Sequence, residues 1–187
     1  DGDSALYYGR LASYEDVFGN FEEAIKYAEK SLAIDSTNWW MIYLMGLQYC
    51  YLDRNEEYLE YLKKFEKRSN TLEKSDFFYP FRIGHAYWIN GLTKEAEDHL
   101  NIGLENIYKM IELGQNPVQD LHLYYHLAAI HAFRGDKDKA YENLKILNQW
   151  QRMPIWMVAN IKDDPMFDGM REEPEFQQIV EDVEAKY

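Results

Sequence analysis

The sequence predicts an all-α solenoid of stacked helix pairs, closed by a short helical cap. One observation is a recurring motif, in which an alanine stands five places after a glycine, with helical patterns on both sides: Gly19 and Ala24, Gly91 and Ala96, and Gly135 and Ala140. A second observation is a degenerate fourth copy of this pattern around Asp53 to Leu62. Recurrence at such a period is typical of repeat proteins in which each helix pair packs on the next.

Small residues mark the places where helices would touch. Each copy has a large apolar residue followed by a small one in its first helix: Leu11 and Ala12, Met45 and Gly46, Ile83 and Gly84, and Leu127 and Ala128. Helices approach closely only where a side chain is small, so this series predicts tight packing. The turn between the two helices carries Gly19, Asp53, Gly91 or Gly135, residues that tolerate the left-handed backbone of a helix end.

These places resemble the tetratricopeptide repeat (TPR), a 34-residue helix pair. Repeats that begin at Ala5, Trp39, Phe77 and Leu121 align the shared places, which gives repeats over about residues 5–38, 39–72, 77–110 and 121–150. The resemblance implies a single domain over residues 1–187, formed by a TPR-like right-handed α-solenoid of four helix pairs and a C-terminal capping segment, 151–187.

Two departures from the repeat predict local changes. Bulky Tyr58 stands where the other three copies have alanine, so we expect the second helix pair to splay or shift. Extra length falls in 111–120, where Gly114, Asn116 and Pro117 mark a break. The second helix of the third repeat is therefore predicted to be longer than its counterparts.

Pro80 lies four places into the third repeat. A proline inside a helix is costly, whereas a proline in the first turn is tolerated. This helix is therefore predicted to begin near Phe78 or Tyr79, with Ser75 or Asp76 as its cap.

The last stretch of the chain follows a different pattern. Asp164–Phe167 and Glu173–Phe176 each read acid, proline, any residue, aromatic, and they lie nine residues apart. An acid before a proline is a helix start that suits the helix dipole. Two short helices are predicted, the second over Glu175 to Ala185, with both rings folded back onto the core. The segment resembles the tail that closes repeat arrays in many bacterial signalling proteins.

The charge balance narrows the class of partner. The 187 residues carry 20 Lys and Arg against 33 Asp and Glu, a formal net charge of −13. Phosphate backbones and anionic lipids attract basic patches, so we expect no nucleic-acid binding by this segment, and no apolar run is long enough for membrane insertion. A protein or peptide partner that is apolar or basic fits better.

The single cysteine, Cys50, favours a cytoplasmic location, with the periplasm as the open alternative.

The resemblance also implies a binding surface. In this family the first helix of each pair lines the concave face, and the corresponding positions here are strongly aromatic. The predicted peptide-binding set is Trp40, Tyr43, Tyr51, Phe78, Phe81, Arg82, His85, Trp88, His122, Tyr125 and His126. Aromatic side chains offer a large contact area at low entropy cost, which suits an apolar peptide. The alternative is that these rings pack against one another or against the closing segment.

Candidates for chemistry are few. His122 and His126 lie one helical turn apart and, with His85, form the metal-site hypothesis, although no acid or thiol stands at helical spacing beside the pair. Nothing in the sequence identifies a base for Cys50. Paired acids such as Asp163–Asp164 are expected on solvated helix starts. We therefore predict no enzymatic activity, no cofactor and no metal.

The sequence supports two roles. In the first, the chain is a non-enzymatic scaffold that holds a peptide or a neighbouring domain in an aromatic groove. In the second, it is the sensory or regulatory part of a larger bacterial transcription regulator or signalling enzyme.

Overall fold

The computed structural model describes residues 2–69, 80–113 and 117–186, and in these ranges the chain forms helices and turns and no strand. The helices are α1 (Gly2–Val17), α2 (Phe21–Ile34), α3 (Trp39–Tyr51), α4 (Asn55–Ser69), α5 (Pro80–Ile89), α6 (Thr93–Glu112), α7 (Pro117–Phe133), α8 (Lys137–Asn148), α9 (Ile155–Asp163) and α10 (Pro174–Glu184). One turn of 3-10 helix covers Pro165–Phe167. The all-α prediction is confirmed, and the helices form two compact units, Asp1–Leu100 and Asn101–Tyr187.

The first unit is a series of helix pairs joined by tight turns. Helix α1 packs on α2, α3 packs on α4, and each pair contacts the next through α2 with α3 and α4 with α5. The turns at Gly19 and Gly91 have φ angles of 74° and 77°, and Asp53 takes the same region at 56°. A side chain added at Gly19 or Gly91 would meet nothing within 4 Å, so the backbone conformation alone favours glycine there.

Two other glycines lie at close contacts between helices, and at Gly84 the contact is with backbone atoms. A Cβ at Gly46 would lie 2.7 Å from Leu62 Cδ2, and one at Gly84 would lie 2.9 Å from the Ala96 carbonyl oxygen. Both positions are on the first helix of a pair and face the second helix. The predicted role of small residues at helix contacts is confirmed at these two sites.

Tyr58 occupies the place where the other repeats have alanine. Its ring is fully buried, and its hydroxyl donates a hydrogen bond of 3.0 Å to the carbonyl oxygen of Arg82 on α5. A large residue is tolerated here because its polar end reaches the next helix pair. The splay of this pair stays a prediction.

The third repeat is irregular at both ends. Helix α6 has 20 residues, against 14 in α2 and 15 in α4, so the predicted extension is confirmed. Pro80 lies in the first turn of α5, where its missing N–H costs little. The predicted capping residues, Ser75 and Asp76, lie outside the described residues.

The second unit packs one helix pair against the closing segment. Helix α7 pairs with α8, the 3-10 turn lies on α7, and α10 contacts both α8 and α9. Helix α8 is capped by Asp136, whose side chain accepts the Lys139 N–H. Closing-segment residues supply fully or almost fully buried side chains to this core, namely Met157, Ile161, Met166, Phe167, Met170, Phe176 and Val183.

Both acid–proline starts in the closing segment begin helical structure, as predicted. Pro165 opens the 3-10 turn and Pro174 opens α10, and the rings of Phe167 and Phe176 are buried with centroids 5.5 Å apart. The two acids act differently, however. Asp164 caps its turn through Met166 N–H at 3.0 Å, whereas the Glu173 side chain does not cap α10 and accepts from Tyr141 at 2.6 Å and from Lys137.

One sequence expectation about these acids is wrong. The sequence predicts a solvated helix start for Asp163–Asp164, yet Asp164 is completely buried. Burial is possible because this carboxylate accepts hydrogen bonds from Tyr125 Oη as well as from Met166 N–H. Sequence spacing alone carries no sign of the tyrosine, which lies 39 residues away.

No helix in the described residues is long and apolar enough to cross a membrane.

Candidate protein-interaction surface

An aromatic cluster forms where α3 begins. The Asn38 side chain caps α3 by accepting the Met41 N–H at 3.2 Å, and Trp39 and Trp40 follow in the first turn. Their rings lie 6.0 Å apart with an edge-to-face angle of 81°. Trp40 keeps 38% of its surface exposed, so this predicted residue is accessible to a partner.

Buried rings support these two tryptophans. Tyr43 lies 5.6 Å from Trp40 and 5.1 Å from Phe65, and Phe65 lies 6.2 Å from Trp39. Tyr43 and Phe65 are both buried. Sequence reasoning selected Trp40 and Tyr43 but missed Trp39 and Phe65. The signal for Trp39 was its position beside Trp40 at the helix start, whereas Phe65 lies on another helix.

The other end of α3 carries Tyr51. It is half-buried, and its ring stacks on Phe21 at the start of α2, with centroids 4.6 Å apart and planes 17° apart. Tyr51 is therefore partly engaged by its own unit.

Helix α5 holds four predicted residues in two environments. Phe81, Arg82 and His85 are buried, while Trp88 keeps 41% of its surface exposed. The Arg82 guanidinium lies 5.2 Å from the centroid of the Phe81 ring, a cation–π distance. The fifth predicted residue in this region, Phe78, lies outside the described residues.

A buried polar group lies beneath this surface. The Nδ1 atom of His85 is 3.3 Å from Tyr58 Oη and 4.0 Å from Cys50 Sγ. The sequence offered no basic partner for Cys50, because His85 is 35 residues away in the chain. Reaction at a cysteine requires an accessible thiolate, and both Cys50 and His85 are buried. We assign this group to packing.

In the second unit, the predicted residues lie against the closing segment. The Tyr125 hydroxyl donates to Asp164, and its ring lies 6.1 Å from Phe167. The rings of His122 and Trp156 meet in an edge-type contact, with centroids 4.8 Å apart, and burial lowers the pKa of the His122 imidazole. His126 is buried, with its ring 5.5 Å from that of Tyr125.

The described residues contain no group of three or more His, Cys, Asp or Glu side chains placed to hold a metal ion. The metal-site hypothesis for His85, His122 and His126 gains no support from the geometry.

Known proteins resemble parts of this chain. Photosystem I assembly protein Ycf3 of Cyanophora paradoxa is 33% identical over 57 residues, which cover 30% of this chain and 33% of Ycf3. Ycf3 of Cuscuta gronovii is 32% identical over 57 residues, which cover 30% of this chain and 34% of that protein. The chain thus spans about a third of the length of the curated relatives it matches. No family profile matches it.

Solved structures resemble the whole chain. A putative kinesin light chain of Podosopora anserina with nearly identical TPR-like repeats has a TM-score of 0.55 and 18% identity, covering 100% of this chain and 96% of that chain. A variant of that protein has a TM-score of 0.52 and 18% identity, covering 97% and 93%. At this level of identity the likeness shows the fold alone.

The fold is therefore a TPR-like α-solenoid, as the repeat pattern predicts. Such folds stack helix pairs so that each pair packs on its neighbours.

Proposed function

We propose that this chain is a non-enzymatic scaffold that binds an apolar or basic peptide, or a neighbouring protein domain, through the aromatic surface of its first unit. The observation that carries the proposal is the exposure of Trp40 and Trp88 on helices whose other predicted contact residues are mostly buried. Tryptophan is among the residues that contribute most to binding free energy in protein interfaces. Trp39 and Trp40 are in contact and both partly exposed, and contiguous exposed apolar patches mark interaction sites.

The buried rings make these tryptophans effective. Tyr43 and Phe65 restrict the rotation of Trp40 and Trp39, so little side-chain entropy remains to be lost when a partner binds. Phe81, Arg82 and His85 support the α5 surface from below.

The remaining predicted residues have smaller parts in this proposal. Tyr51 is half-buried at the far end of α3 and offers only part of its ring to a partner. His122, Tyr125 and His126 belong to the second unit, where they pack with one another and with the closing segment.

The charge of the chain selects the class of peptide. A net charge of −13 repels acidic peptides and speeds the approach of basic ones. We therefore expect binding peptides to combine apolar residues with lysine or arginine, and their affinity to fall as salt is added.

Peptide display tests the proposal. A random peptide library is selected on the wild-type chain, and the enriched peptides are then measured against the Trp40→Ala/Trp88→Ala variant. We expect at least about a tenfold loss of affinity, since two hot-spot residues are removed. The matched control is Ile155→Ala, which truncates an exposed apolar residue of the second unit.

Two outcomes contradict the proposal. One is enriched peptides that bind the double tryptophan variant as tightly as the wild type. The other is a selection whose enriched peptides are acidic rather than apolar or basic. Circular dichroism of each variant shows whether its helical content is intact.

The Ycf3 similarity supports an assembly role for such a scaffold. The matched region covers 30% of this chain, so we propose the class of role, the holding of a protein during assembly, and no particular partner. The regulatory role in a larger signalling protein rests on the sequence of the closing segment and stays a prediction.

A further inference from the structure

Helix α1 exposes an apolar stripe. Tyr7 and Tyr14 are each 59% exposed and Phe18, one residue beyond the helix, is 56% exposed, while Leu11 between them is partly buried. The spacings of four, three and four residues place all four side chains on one side of the helix. We call this set, Tyr7, Leu11, Tyr14 and Phe18, the α1 stripe.

The equivalent face of α3 is covered. The α1 stripe occupies places three, seven, ten and fourteen of its repeat, and the matching residues on α3 are Met41, Met45, Gln48 and Leu52. Met41, Met45 and Gln48 are buried. The covering element is α1 itself, since Gln48 Nε2 donates to Asp16 Oδ1 at 2.7 Å and Met41 lies beside Gly9. The face of α3 that corresponds to the α1 stripe therefore packs on another helix.

One basic and one acidic residue lie beside the α1 stripe, and their positions favour a particular kind of partner. In a heptad register the stripe residues take the core positions, Arg10 takes the g position and Glu15 takes the e position five residues later. In a parallel pair of identical helices, g and the following e of the other helix lie side by side and set the orientation of the pair. Arg10 is exposed and has no ion pair among the described residues, and Glu15 accepts only from Asn20 there, at 2.7 Å.

We propose that the α1 stripe binds a second copy of this chain, with the two α1 helices parallel and Arg10 of each copy beside Glu15 of the other. A stripe that binds a basic partner helix would instead be flanked by acidic residues on both sides, whereas here one side carries Arg10. The α1 stripe lies on a different helix from the exposed tryptophans of α3 and α5, so the proposed dimer surface is separate from the proposed peptide-binding surface.

The interface is small. One face of one helix per copy buries less than the roughly 1,600 Å² of a standard complex, so we expect a weak dimer and take a dissociation constant of about 10 to 100 µM as the range to be tested. Sedimentation equilibrium from about 5 to 500 µM spans that range. The average mass is expected to rise with concentration from the 22.4 kDa of the single chain toward twice that value.

Two matched variants locate the interface. Tyr14→Ser is expected to weaken the dimer at least about tenfold, because it replaces a core residue of the pairing, exposed in the single chain, by a small polar one. Ile102→Ser changes an exposed apolar residue of α6 and is expected to dimerise as the wild type does. A wild-type chain that stays monomeric up to about 500 µM overturns the proposal, and so does a dimer that tolerates Tyr14→Ser.

Charge reversal tests the orientation of the two helices. Arg10→Glu and Glu15→Arg are each expected to weaken the dimer about fivefold, and the double variant to restore it, because two exposed ion pairs are lost and then rebuilt. A double variant that dimerises as poorly as the single variants rejects the parallel pairing.

Cross-linking tests the orientation independently. Tyr7→Cys is expected to form a disulfide-linked dimer under mild oxidation, with Ile102→Cys as the control. In an antiparallel pair, residue 7 of one chain would lie opposite residue 18 of the other, so the two introduced thiols would be about 16 Å apart, too far for a disulfide. A Tyr7→Cys variant that forms no cross-link also rejects the parallel pairing.

Discussion

Tyr43 and Tyr125 occupy the same place on the first helix of their repeats, and both rings are buried, but different parts of the chain cover them. Tyr43 in the first unit lies beneath Trp40, which is itself exposed. Tyr125 in the second unit is covered by the closing segment, through Phe167 and a hydrogen bond to Asp164. One repeat position thus supports an accessible aromatic surface in one unit and an internal contact in the other.

The difference shows that a repeat position does not decide by itself whether a residue binds a partner. In the second unit, the chain's own closing segment packs on His122 and Tyr125, two of the residues that the repeat pattern predicts for peptide binding. In the first unit, two indoles remain accessible. Mutations should therefore affect stability in the second unit and binding in the first.

The largest expected effect is that of Phe167→Ala. This ring is completely buried between Tyr125 and Phe176, so its loss removes apolar burial and leaves a cavity. We expect the free energy of unfolding to fall by about 3 to 5 kcal/mol. Urea denaturation followed by tryptophan fluorescence measures the change, and Trp156 beside Tyr125 reports on the second unit.

Phe18→Ala is the matched control, because it removes the same side chain from an exposed position of the first unit. Its cost is expected to be about 0.5 kcal/mol or less. Equal losses for the two variants would show that the closing segment is not part of the core.

Tyr125→Phe is also expected to lower the free energy of unfolding, but by less than Phe167→Ala. It removes one hydroxyl, which leaves the buried Asp164 carboxylate with one donor fewer. Hydrogen bonds to charged groups contribute about 1.5 to 3 kcal/mol, and we expect a loss in that range by urea denaturation. The control is Tyr27→Phe, since the Tyr27 hydroxyl has no hydrogen bond among the described residues. If both variants cost the same, the Asp164 contact does not stabilise the unit.

Trp88→Ala should separate stability from binding. Because Trp88 is 41% exposed and alanine favours a helix, we expect a loss of about 1 kcal/mol or less. Thermal unfolding followed by circular dichroism measures this loss. A loss as large as that of Phe167→Ala would mean that Trp88 is a core residue, and the comparison between the two units would fail.

Much of the fold is predictable from the sequence because local rules decide it. Left-handed turns require residues such as Gly19 and Gly91, and tight helix contacts require residues such as Gly46 and Gly84, so both series recur at the repeat period. The two acid–proline pairs, Asp164–Pro165 and Glu173–Pro174, mark the starts of the 3-10 turn and of α10.

The candidate site is less predictable because distant residues decide the exposure of each side chain. Nothing near Tyr125 in the sequence indicates that its hydroxyl will donate a hydrogen bond to Asp164. Nothing near Cys50 indicates His85. The repeat alignment selects which residues share a helix face, but only the packed structure separates accessible Trp40 and Trp88 from buried Phe81 and Arg82.

The smallest expected effect concerns two acids with opposite surroundings. Burial raises the pKa of Asp16, although the hydrogen bond from Gln48 acts against it. Below the ordinary value of 3.8 this carboxyl is neutral in both the folded and the unfolded chain. As the pH rises above 3.8, the unfolded chain ionises first, so the folded state loses stability until Asp16 ionises as well. Asp16→Asn should therefore raise the urea midpoint at pH 7, and this gain should shrink as the pH falls toward 3.8.

Asp182→Asn should lower the urea midpoint at pH 7, because hydrogen bonds from Asn148 and Gln178 lower the pKa of that exposed acid. If the two variants shift the midpoint in the same direction, burial does not control the ionisation of Asp16.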